Sequence, residues 1–456
     1  MLHDPLPEEP WTDLGYAHRL AEFVQGGEFL HIPIWKEWRH WTGKRWEPDE
    51  SGAIYEKAKL LARYMTDVAE AIQDEKVQKK YHQIALAHES AASVSAMVKL
   101  ASTDPAFVAR PKDFDANPKL FNTPSGVYDL TSDEVLPHAP HLMLSKMSIG
   151  SFDPAAYTQP AGGRYFKPFL TRLHPATDKR SYLGSVMGCM LEGRVTEQIL
   201  VLFVGSGANG KSTFDLAVNH ALGNYSTVSD GAALCDPSVH PTAIANLAGR
   251  RMVFVNELGN IDENRVKLLT SQDDLSARRM RENYWSFPPS HNIIAAMNTQ
   301  PHLRGTNEGI WRRILIIPWS IQLPRSEWDA DMGLKLETES DFIVTWLLKG
   351  YQRYRKHGLR PPSAVRSANV ALRDELDPVS AWLRDQCRRG ETFSARAGDL
   401  WTSFEKWQAK TGGRKLTQTA FGRSLGDKSF EKRRDSQGVI WNGLTLAHTV
   451  VSELEL

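Results

Sequence analysis

The chain has 456 residues, with 55 Lys and Arg against 54 Asp and Glu and a net charge of +1. This length allows roughly two to four domains, and a near-zero net charge identifies no partner, so only local charge clusters can indicate nucleic acid. Three cysteines without a C-x-x-C pair exclude a disulfide framework and a thiolate zinc site, and no apolar run approaches the roughly 18 residues of a membrane span. The acidic, proline-rich start does not resemble a signal peptide, and we expect a cytoplasmic protein.

The first predicted unit covers residues 1–155 and combines strands with helices. Aromatic residues alternate with polar ones from Trp35 to Trp46 around a turn at Gly43, which predicts a β-hairpin with paired rings. Apolar residues at helical spacing then predict a long helical stretch over residues 54–101. The sequence therefore predicts an α+β domain at the start of the chain.

A linker is predicted at residues 154–163, and the second unit, residues 156–330, contains a phosphate loop. Residues 205–212 read Gly-Ser-Gly-Ala-Asn-Gly-Lys-Ser, between an apolar strand at 199–204 and a helix at 213–222. The apolar positions of that helix are Leu216, Ala217, Val218 and Ala221. A glycine-rich turn between a strand and a helix wraps backbone N–H groups around an anion, so this pattern predicts a nucleotide-binding site.

The sequence also supplies the groups that hydrolysis needs beside this loop. Lys211 reaches the β- and γ-phosphates, and the Ser212 hydroxyl holds Mg²⁺. Glu257 ends the apolar strand 251–256 and is the candidate to order Mg²⁺ and polarise the attacking water, the alternative being an ordinary surface glutamate. Asn298 ends another apolar strand, where its amide reaches the γ-phosphate or the water. The predicted nucleotide contacts are Gly205, Ser206, Gly207, Ala208, Asn209, Gly210, Lys211, Ser212 and Thr213.

A basic hairpin is predicted between the acid and the amide, over residues 273–287. Its basic and aromatic residues are Arg278, Arg279, Arg281 and Tyr284, and Lys267 lies on the preceding helix. Basic and aromatic side chains together suit a phosphate backbone and a stacked base, so we expect a DNA contact here. A solvated charged hairpin is the alternative.

Two arginines, Arg312 and Arg313, open a further apolar strand within residues 309–319. One guanidinium could reach the nucleotide of a neighbouring subunit as an arginine finger. The alternative is a basic strand edge paired with a local acid such as Glu308.

The last two regions are a helical connection, residues 331–379, and a basic module, residues 380–456. The predicted elements of the module are helices at 397–410 and 417–425 and strands at 430–434 and 439–444. This order is typical of a winged helix. Its basic residues give a local positive field that favours DNA, with protein docking as the alternative; they are Lys406, Lys410, Arg414, Lys415, Arg423, Lys428, Lys432, Arg433 and Arg434.

The order of phosphate loop, strand-end acid, basic hairpin, strand-end Asn and Arg resembles the superfamily 3 helicases, and most closely the D5-like and P4-type phage or plasmid primase–helicases. The motifs that carry the resemblance are Gly-Ala-Asn-Gly-Lys-Ser-Thr at 207–213, Asn298-Thr-Gln-Pro, and the run from Arg304 to Trp319. Residues 12–15, the tryptophan-rich hairpin and residues 122–130 look like the domain that precedes the helicase, and residues 400–446 look like its winged helix. Thr270-Ser-Gln-Asp273 departs from the usual Thr-Gly-Gly-Asp of this family.

This resemblance implies an α/β fold with a P-loop AAA+-like ATPase core, an N-terminal α+β domain and a C-terminal winged helix. It also implies a hexameric ring that moves on single-stranded DNA, usually 3′ to 5′, with hairpin tips in the channel and an arginine supplied by the neighbouring subunit. The positions it assigns are Lys211, Ser212, Glu257, Lys267, Arg278, Asn298 and Arg313. Arg313 is preferred to Arg312 because of its spacing from Asn298.

The function expected from the sequence is an ATP-dependent DNA helicase that replicates a phage, plasmid or other mobile element. Its cofactors are ATP and Mg²⁺, its substrates are single-stranded and forked DNA, and a primase would be a separate partner. An origin-binding or loading factor that uses ATP as a switch and does not unwind is the alternative, and a packaging or defence ATPase is a third hypothesis.

Overall fold

The computed structural model describes residues 10–24, 27–159, 162–231, 242–258, 261–278, 284–298, 303–304, 308–411 and 415–447. The chain divides into two compact units, residues 1–151 and 152–456. Within the described ranges, no helix is long and apolar enough to cross a membrane. The same ranges contain no group of three or more His, Cys, Asp or Glu side chains that could hold a metal ion.

The first unit contains four helices and two small antiparallel sheets among its described residues. The helices are α1 (Asp13–Phe23), α2 (Ala53–Glu70), α3 (Glu75–His88) and α4 (Ala91–Ala101). One sheet has the order β1-β2-β3, with β1 (Phe29–Ile32), β2 (Glu37–Trp41) and β3 (Trp46–Pro48). The other has the order β4-β5-β6, with β4 (Leu120–Thr123), β5 (Gly126–Asp129) and β6 (Val135–Leu136).

The predicted tryptophan hairpin is present, and the predicted helical stretch is present but interrupted. Trp41 of β2 lies opposite Trp46 of β3, and the two ring centroids are 5.7 Å apart. Residues 54–101 divide into α2, α3 and α4 because Asp74 and Ser90 each begin a new helix. The side chain of each residue accepts a hydrogen bond from a backbone N–H in the first turn of that helix.

The second unit begins with an α/β region. Its helices are α5 (Pro154–Thr158), α6 (Phe166–Leu173), α7 (Thr177–Cys189), α8 (Lys211–Leu222), α9 (Thr242–Ala245), α10 (Glu263–Thr270), α11 (Glu308–Trp311), α12 (Met332–Glu337), α13 (Ser340–His357) and α14 (Ser363–Leu376). Its strands are β7 (Leu200–Val204), β8 (Ser226–Asp230), β9 (Met252–Asn256), β10 (Ile261–Asp262), β11 (Leu275–Ala277), β12 (Trp285–Phe287), β13 (Asn292–Met297), β14 (Leu303–Arg304) and β15 (Ile314–Pro318). A linker was predicted at 154–163, but this segment begins with the helix α5. The side chain of Asp153 caps α5, and the backbone N–H of Asp153 donates to Oγ1 of Thr345 at 2.8 Å.

A five-stranded parallel sheet organises this region, with the order β15-β7-β13-β9-β8. The central strands β7 and β13 are nearly continuous apolar runs and are buried, as expected for a parallel sheet covered by helices on both faces. Parallel strands bring their carboxyl ends to one edge of the sheet. Gly205, Glu257 and Asn298 follow β7, β9 and β13, so the three predicted site segments meet at that edge.

The end of the chain forms a module with its own hydrophobic core. Its elements are α15 (Pro378–Gln386), β16 (Cys387–Arg396), α16 (Ala397–Thr411), α17 (Gln418–Asp427), β17 (Glu431–Asp435) and β18 (Gly438–Leu446). The strands form an antiparallel sheet of order β16-β18-β17, and the core includes Trp382, Phe404 and Trp441. The predicted helices and strands are present, and Thr417 caps α17 as expected. The sequence did not predict β16, which is mostly polar and has a register shift between Arg389 and Ser394.

Candidate active site

The phosphate loop joins β7 to α8, and close packing requires glycine at both of its ends. Gly210 has a φ of +74°, and a Cβ added there would lie 2.7 Å from Cδ1 of Leu173. A Cβ added to Gly205 would lie 2.1 Å from the carbonyl oxygen of Trp319. α8 begins at Lys211 immediately after the loop. The N-terminus of this helix therefore presents backbone N–H groups at the loop, which favours an anion.

Lys211 is buried in the loop, and its ammonium contacts only neutral oxygens among the described residues. Nζ donates to the carbonyl oxygen of Gly205 at 2.6 Å, to Oδ1 of Asn209 at 2.9 Å and to Oδ1 of Asn298 at 3.2 Å. Burial lowers the pKa of Lys211, while two nearby carboxylates oppose this shift. Because a phosphate is a stronger partner for an ammonium than a neutral oxygen, this arrangement can exchange its internal contacts for a nucleotide.

Asn298 bridges Lys211 and Glu257 at the edge of the sheet. Its Oδ1 accepts the bond from Lys211, and its Nδ2 donates to Oε1 of Glu257 at 3.2 Å. Glu257 has a φ of +55°, and its backbone N–H donates to the carbonyl oxygen of Ala296 at 3.0 Å. A left-handed backbone at a non-glycine residue is uncommon and is often found at functional sites. The structure thus brings three of the predicted residues into one connected group.

Ser212 lies beside this group and is exposed at the start of α8. No hydrogen bond joins its hydroxyl to Glu257 among the described residues. Oxygen atoms of a hydroxyl and a carboxylate are nevertheless the ligand types that Mg²⁺ prefers.

Trp319, the last residue of the run 304–319, and residues 320–323, which the sequence did not single out, lie along the phosphate loop. Nδ2 of Asn209 donates to the carbonyl oxygen of Trp319 at 3.2 Å. Nε2 of Gln322 donates to Oγ of Ser206 at 2.8 Å, and the backbone N–H of Leu323 donates to the carbonyl oxygen of Ala208 at 2.7 Å. The conformation of the loop therefore depends on the segment that follows β15.

The two candidate arginines precede the other end of β15 and differ in their surroundings. Arg313 donates from Nη1 to Oγ1 of Thr270 at 3.0 Å and to its carbonyl oxygen at 3.4 Å, which ties it to the last residue of α10 in the same chain. Arg312 is exposed. Neither guanidinium is joined to the phosphate loop by a hydrogen bond between described residues, so an action of Arg313 on a neighbouring subunit stays a prediction.

The predicted basic hairpin is present as β11 and β12, which pair antiparallel. Cζ of Arg278 lies 5.0 Å from the centroid of the Tyr284 ring, and Tyr284 is 60% exposed. Lys267 is exposed on α10. Arg279 and Arg281 lie outside the described residues. The described part of the hairpin thus presents a cation beside an exposed ring.

Asp215 is a buried acid that the sequence did not bring to attention. It lies one helical turn after Lys211 on α8, is 4% exposed, and neither carboxylate oxygen has a hydrogen-bond partner among the described residues. Burial raises the pKa of Asp215 well above its ordinary value, and the charge of Lys211 opposes this shift. The candidate site therefore has, one helical turn beyond Lys211, an acid whose neutral form is favoured by burial.

Two family models match the chain over the regions just described. A model described as "D5 N terminal like" matches residues 17–175. A second, described as "Family of unknown function (DUF5906)", matches residues 203–313. This second match begins just before the phosphate loop and ends at Arg313.

Curated viral proteins are similar to parts of the chain at low identity. The "Putative helicase L207/L206" of Acanthamoeba polyphaga mimivirus is 25% identical over 265 residues, which are 52% of this chain and 28% of that protein. The "Putative helicase 121R" of Invertebrate iridescent virus 3 is 20% identical over 330 residues, 64% of this chain and 35% of that protein. The "Putative primase C962R" of African swine fever virus is 24% identical over 153 residues, 32% of this chain and 16% of that protein. The chain thus spans about a third or less of each of these relatives.

A solved structure supports the fold. The structure titled "The A form apo structure of NrS-1 C terminal region-CTR(305-718)" aligns with a TM-score of 0.51 at 10% sequence identity, over 95% of this chain and 100% of that chain. The mixed α/β architecture with a parallel sheet is therefore shared with that region. The D5 N-terminal-like match and the viral relatives make this chain similar to D5-like primase–helicases.

Proposed function

We propose that this chain is an ATP-dependent DNA helicase that moves along single-stranded DNA during replication of a phage, plasmid or other mobile element. The observation that carries the proposal is the connected group of Lys211, Asn298 and Glu257 beside a glycine loop at the start of α8. A cation, an amide and a carboxylate at the carboxyl edge of a parallel sheet are the groups that bind and hydrolyse a nucleoside triphosphate.

Each residue has a distinct role in this proposal. Lys211 leaves its neutral acceptors and binds the terminal phosphates, where its charge offsets the charge that develops during transfer. Glu257 accepts a hydrogen bond from the attacking water and polarises it towards the γ-phosphate. Asn298 already holds Oε1 of Glu257, so it fixes the carboxylate and can also contact the γ-phosphate. Ser212 and Glu257 would hold Mg²⁺, which would neutralise charge on the phosphate oxygens.

DNA contacts are proposed at two places in the same unit. The β11–β12 hairpin offers Arg278 and the exposed ring of Tyr284 to the backbone and bases of a single strand. The C-terminal module has the element order helix, strand, helix, helix, strand, strand, which supports a winged helix. We also propose a hexameric ring in which Arg313 of one subunit acts on the nucleotide of its neighbour, with a primase on a separate chain.

The proposal is tested by strand displacement on a forked DNA with ATP and Mg²⁺. The wild-type chain should release the labelled strand, and the Glu257→Gln variant should bind ATP and the fork without releasing it. A non-hydrolysable ATP analogue should likewise allow the wild-type chain to bind the fork without releasing the strand. DNA-stimulated ATP hydrolysis without any strand release would reject the helicase and support the ATP-switched loading factor. Absence of ATP binding would reject both.

A further inference from the structure

The C-terminal module contains an open groove that includes two of the basic residues named above, Lys406 and Lys410. The groove has a volume of about 820 Å³ and lies between α16, β16 and the end of β18. Its floor includes the buried residues Ile440, Thr445 and Leu446. It lies on the α16 side of the module, whereas a winged helix reads duplex DNA mainly with its second consecutive helix, which here is α17.

One face of α16 forms a basic wall of this groove. Lys406 and Lys410 both line it, and they lie one helical turn apart, roughly 6 Å along the helix axis. Both lysines are exposed, and neither forms an ion pair with a carboxylate among the described residues. Asp399 lines the same groove but lies about 10 Å or more along the axis from Lys406. The lysine end of the groove therefore attracts anionic groups.

An aromatic ring lies beside these two lysines. Trp407 lines the groove and is half-buried. Its indole Nε1 donates to Oδ2 of Asp385 at 3.2 Å, and its ring centroid lies 6.2 Å from that of Phe404 in a stacked arrangement. The ring is thus fixed in place by a hydrogen bond and by packing. A fixed indole next to two cations can take a stacked base whose phosphates contact the lysines.

Arg396 also lines the groove, but its positive charge is paired with Asp435. Its Nη1 donates to Oδ1 of Asp435 at 3.4 Å, and its Nη2 donates to Oε1 of Gln437. This contact joins β16 to the turn between β17 and β18. The net attraction for phosphate in the groove therefore depends on Lys406 and Lys410.

We propose that this groove binds single-stranded nucleic acid, with a base stacked on Trp407 and adjacent phosphates held by Lys406 and Lys410. A single strand fits better than a duplex because duplex bases are covered by their stacking partners and cannot reach an indole inside a groove. The inference rests on the proposed function only for the source of the ligand, which would be the single-stranded DNA that the helicase moves along or releases. The binding itself requires no ATP.

The test uses the full chain without nucleotide and a fluorescein-labelled oligo(dT) strand. The double variant Lys406→Ala and Lys410→Ala should weaken binding, and the slope of log K against log salt should become shallower by about 0.7 for each phosphate that the variant no longer neutralises. Trp407→Leu, which keeps apolar packing against Phe404, should weaken binding about fivefold or more and leave the salt slope unchanged.

The matched control is the double variant Lys76→Ala and Lys80→Ala. These lysines have the same spacing on an exposed face of α3 in the other unit. The control should bind oligo(dT) as the wild type does. A groove variant that binds like the control would overturn the proposal and leave the groove to a protein partner. An equal loss of affinity for a blunt duplex and for oligo(dT) would also overturn it, because the groove would then be a general phosphate surface.

Photo-crosslinking adds a readout that a structural defect would not mimic. An oligonucleotide with 5-iododeoxyuridine should crosslink to Trp407 in the wild-type chain, and mass spectrometry should locate the adduct in α16. A crosslink confined to other segments would contradict the proposal. Strand displacement, measured in parallel, separates the two proposals. A chain that binds oligo(dT) through the groove but does not unwind a fork rejects only the helicase, and the reverse result rejects only the groove.

Discussion

The edge of the parallel sheet and the C-terminal module both carry proposed functional residues, but they arrange them in opposite ways. At the sheet edge, Lys211, Asn298 and Glu257 come from three separate segments and contact one another through bonds of 3.2 Å. In the module, Lys406 and Lys410 lie exposed on one helix and form no ion pair with a described carboxylate. We call the first arrangement, Lys211, Asn298 and Glu257, the convergent site, because its side chains come together from separate segments. The second arrangement is a surface of separate charges.

This difference predicts two kinds of response to change. Phosphoryl transfer needs its groups at fixed distances, so the loss of one member of the convergent site should remove most of the activity. Phosphate contacts on an open surface contribute separately and are screened by salt, so the effects of substitution there should be graded. Four predictions test how far this contrast holds.

The largest effect is expected for Glu257→Gln. The amide keeps the size of the side chain but cannot polarise the attacking water, so ATP turnover should fall by about 10⁴-fold while ATP binding remains. Steady-state hydrolysis and nucleotide binding measure the two effects. The control is Glu75→Gln, which removes an exposed glutamate whose ion pair with Lys79 is worth little. Normal turnover in Glu257→Gln would remove this residue from the mechanism.

The next largest effect is expected for Arg313→Ala, with a loss of about 10³-fold in turnover if the guanidinium acts on a neighbouring subunit. A mixture of Arg313→Ala and Lys211→Ala chains should then regain activity, because some interfaces would join an intact loop to an intact arginine. The bond from Arg313 to Thr270 gives a competing explanation within one chain.

The Thr270→Val variant addresses that explanation. It removes the hydroxyl acceptor but keeps the shape of the side chain, so a purely structural Arg313 should make this variant nearly as inactive as Arg313→Ala. Mixed chains that regain no activity would also favour the structural role. A strong loss in Arg312→Ala together with recovery in its mixtures would transfer the proposed role to the exposed arginine.

The sequence predicted the convergent site better than it predicted its surroundings. The motif spacing placed Glu257 and Asn298 at strand ends and Lys211 in the loop that follows a third strand, and parallel strands necessarily collect those ends at one edge. Ala217, Val218 and Ala221, which were predicted on the apolar face of α8, are buried. The prediction was wrong for Leu216, which is 57% exposed, whereas Asp215 is 4% exposed. A buried acid violates the hydrophobic pattern from which helix faces are read, so no periodicity could have located it.

The C-terminal module shows a different limit. The helices α16 and α17 and two of its strands follow from caps and apolar spacing, whereas α15 was not predicted. β16 is mostly polar and has no alternation that marks a strand. That strand is fixed by its pairing with β18, a contact between residues distant in the chain. The groove depends on β16, so its position could not be predicted from local sequence.

A smaller effect is expected at the β11–β12 hairpin, which tests whether a basic surface near the convergent site behaves like the module. Combining Arg278→Ala with Tyr284→Leu should leave basal ATP hydrolysis nearly intact, because neither residue belongs to the connected group of Lys211, Asn298 and Glu257. Half-maximal stimulation by single-stranded DNA should need about tenfold more DNA. The control Arg360→Ala removes an exposed arginine of the same unit. Unchanged stimulation in the double variant would place the DNA path elsewhere.

The smallest effect is expected on stability at acidic pH. Acidification should destabilise the buried α/β region more than the C-terminal module. His174 is completely buried against Trp319, with ring centroids 4.5 Å apart, and burial together with Lys179 and Arg180 lowers the pKa of His174 to about 3. Burial likewise lowers the pKa of His291 to about 4.

Because the unfolded chain binds these protons near pH 6.5 and the folded chain does not, stability is lost as the pH falls below 6.5 towards these folded values. At about pH 5.5 each histidine should cost about 1.4 kcal/mol of the free energy of unfolding. Asp215 acts in the opposite direction, since its raised pKa lets the folded state keep a proton that the unfolded state loses above its ordinary value of 3.8. The measured decrease in the free energy of unfolding on acidification is therefore the decrease caused by the histidines minus any increase caused by Asp215.

Two variants separate these contributions when thermal unfolding of the full chain is followed at about pH 7.5 and about pH 5.5. His174→Phe keeps an aromatic ring beside Trp319 and removes the titrating group, so it should lose less stability on acidification than the wild type. Asp215→Asn should be more stable than the wild type at the higher pH, because it removes a buried carboxylate that has no hydrogen-bond partner among the described residues. This advantage should shrink as the pH falls. If the His174→Phe variant loses as much stability on acidification as the wild type, the acid response arises outside this packed region. Acid stability would then not distinguish the buried α/β region from the exposed, salt-sensitive module.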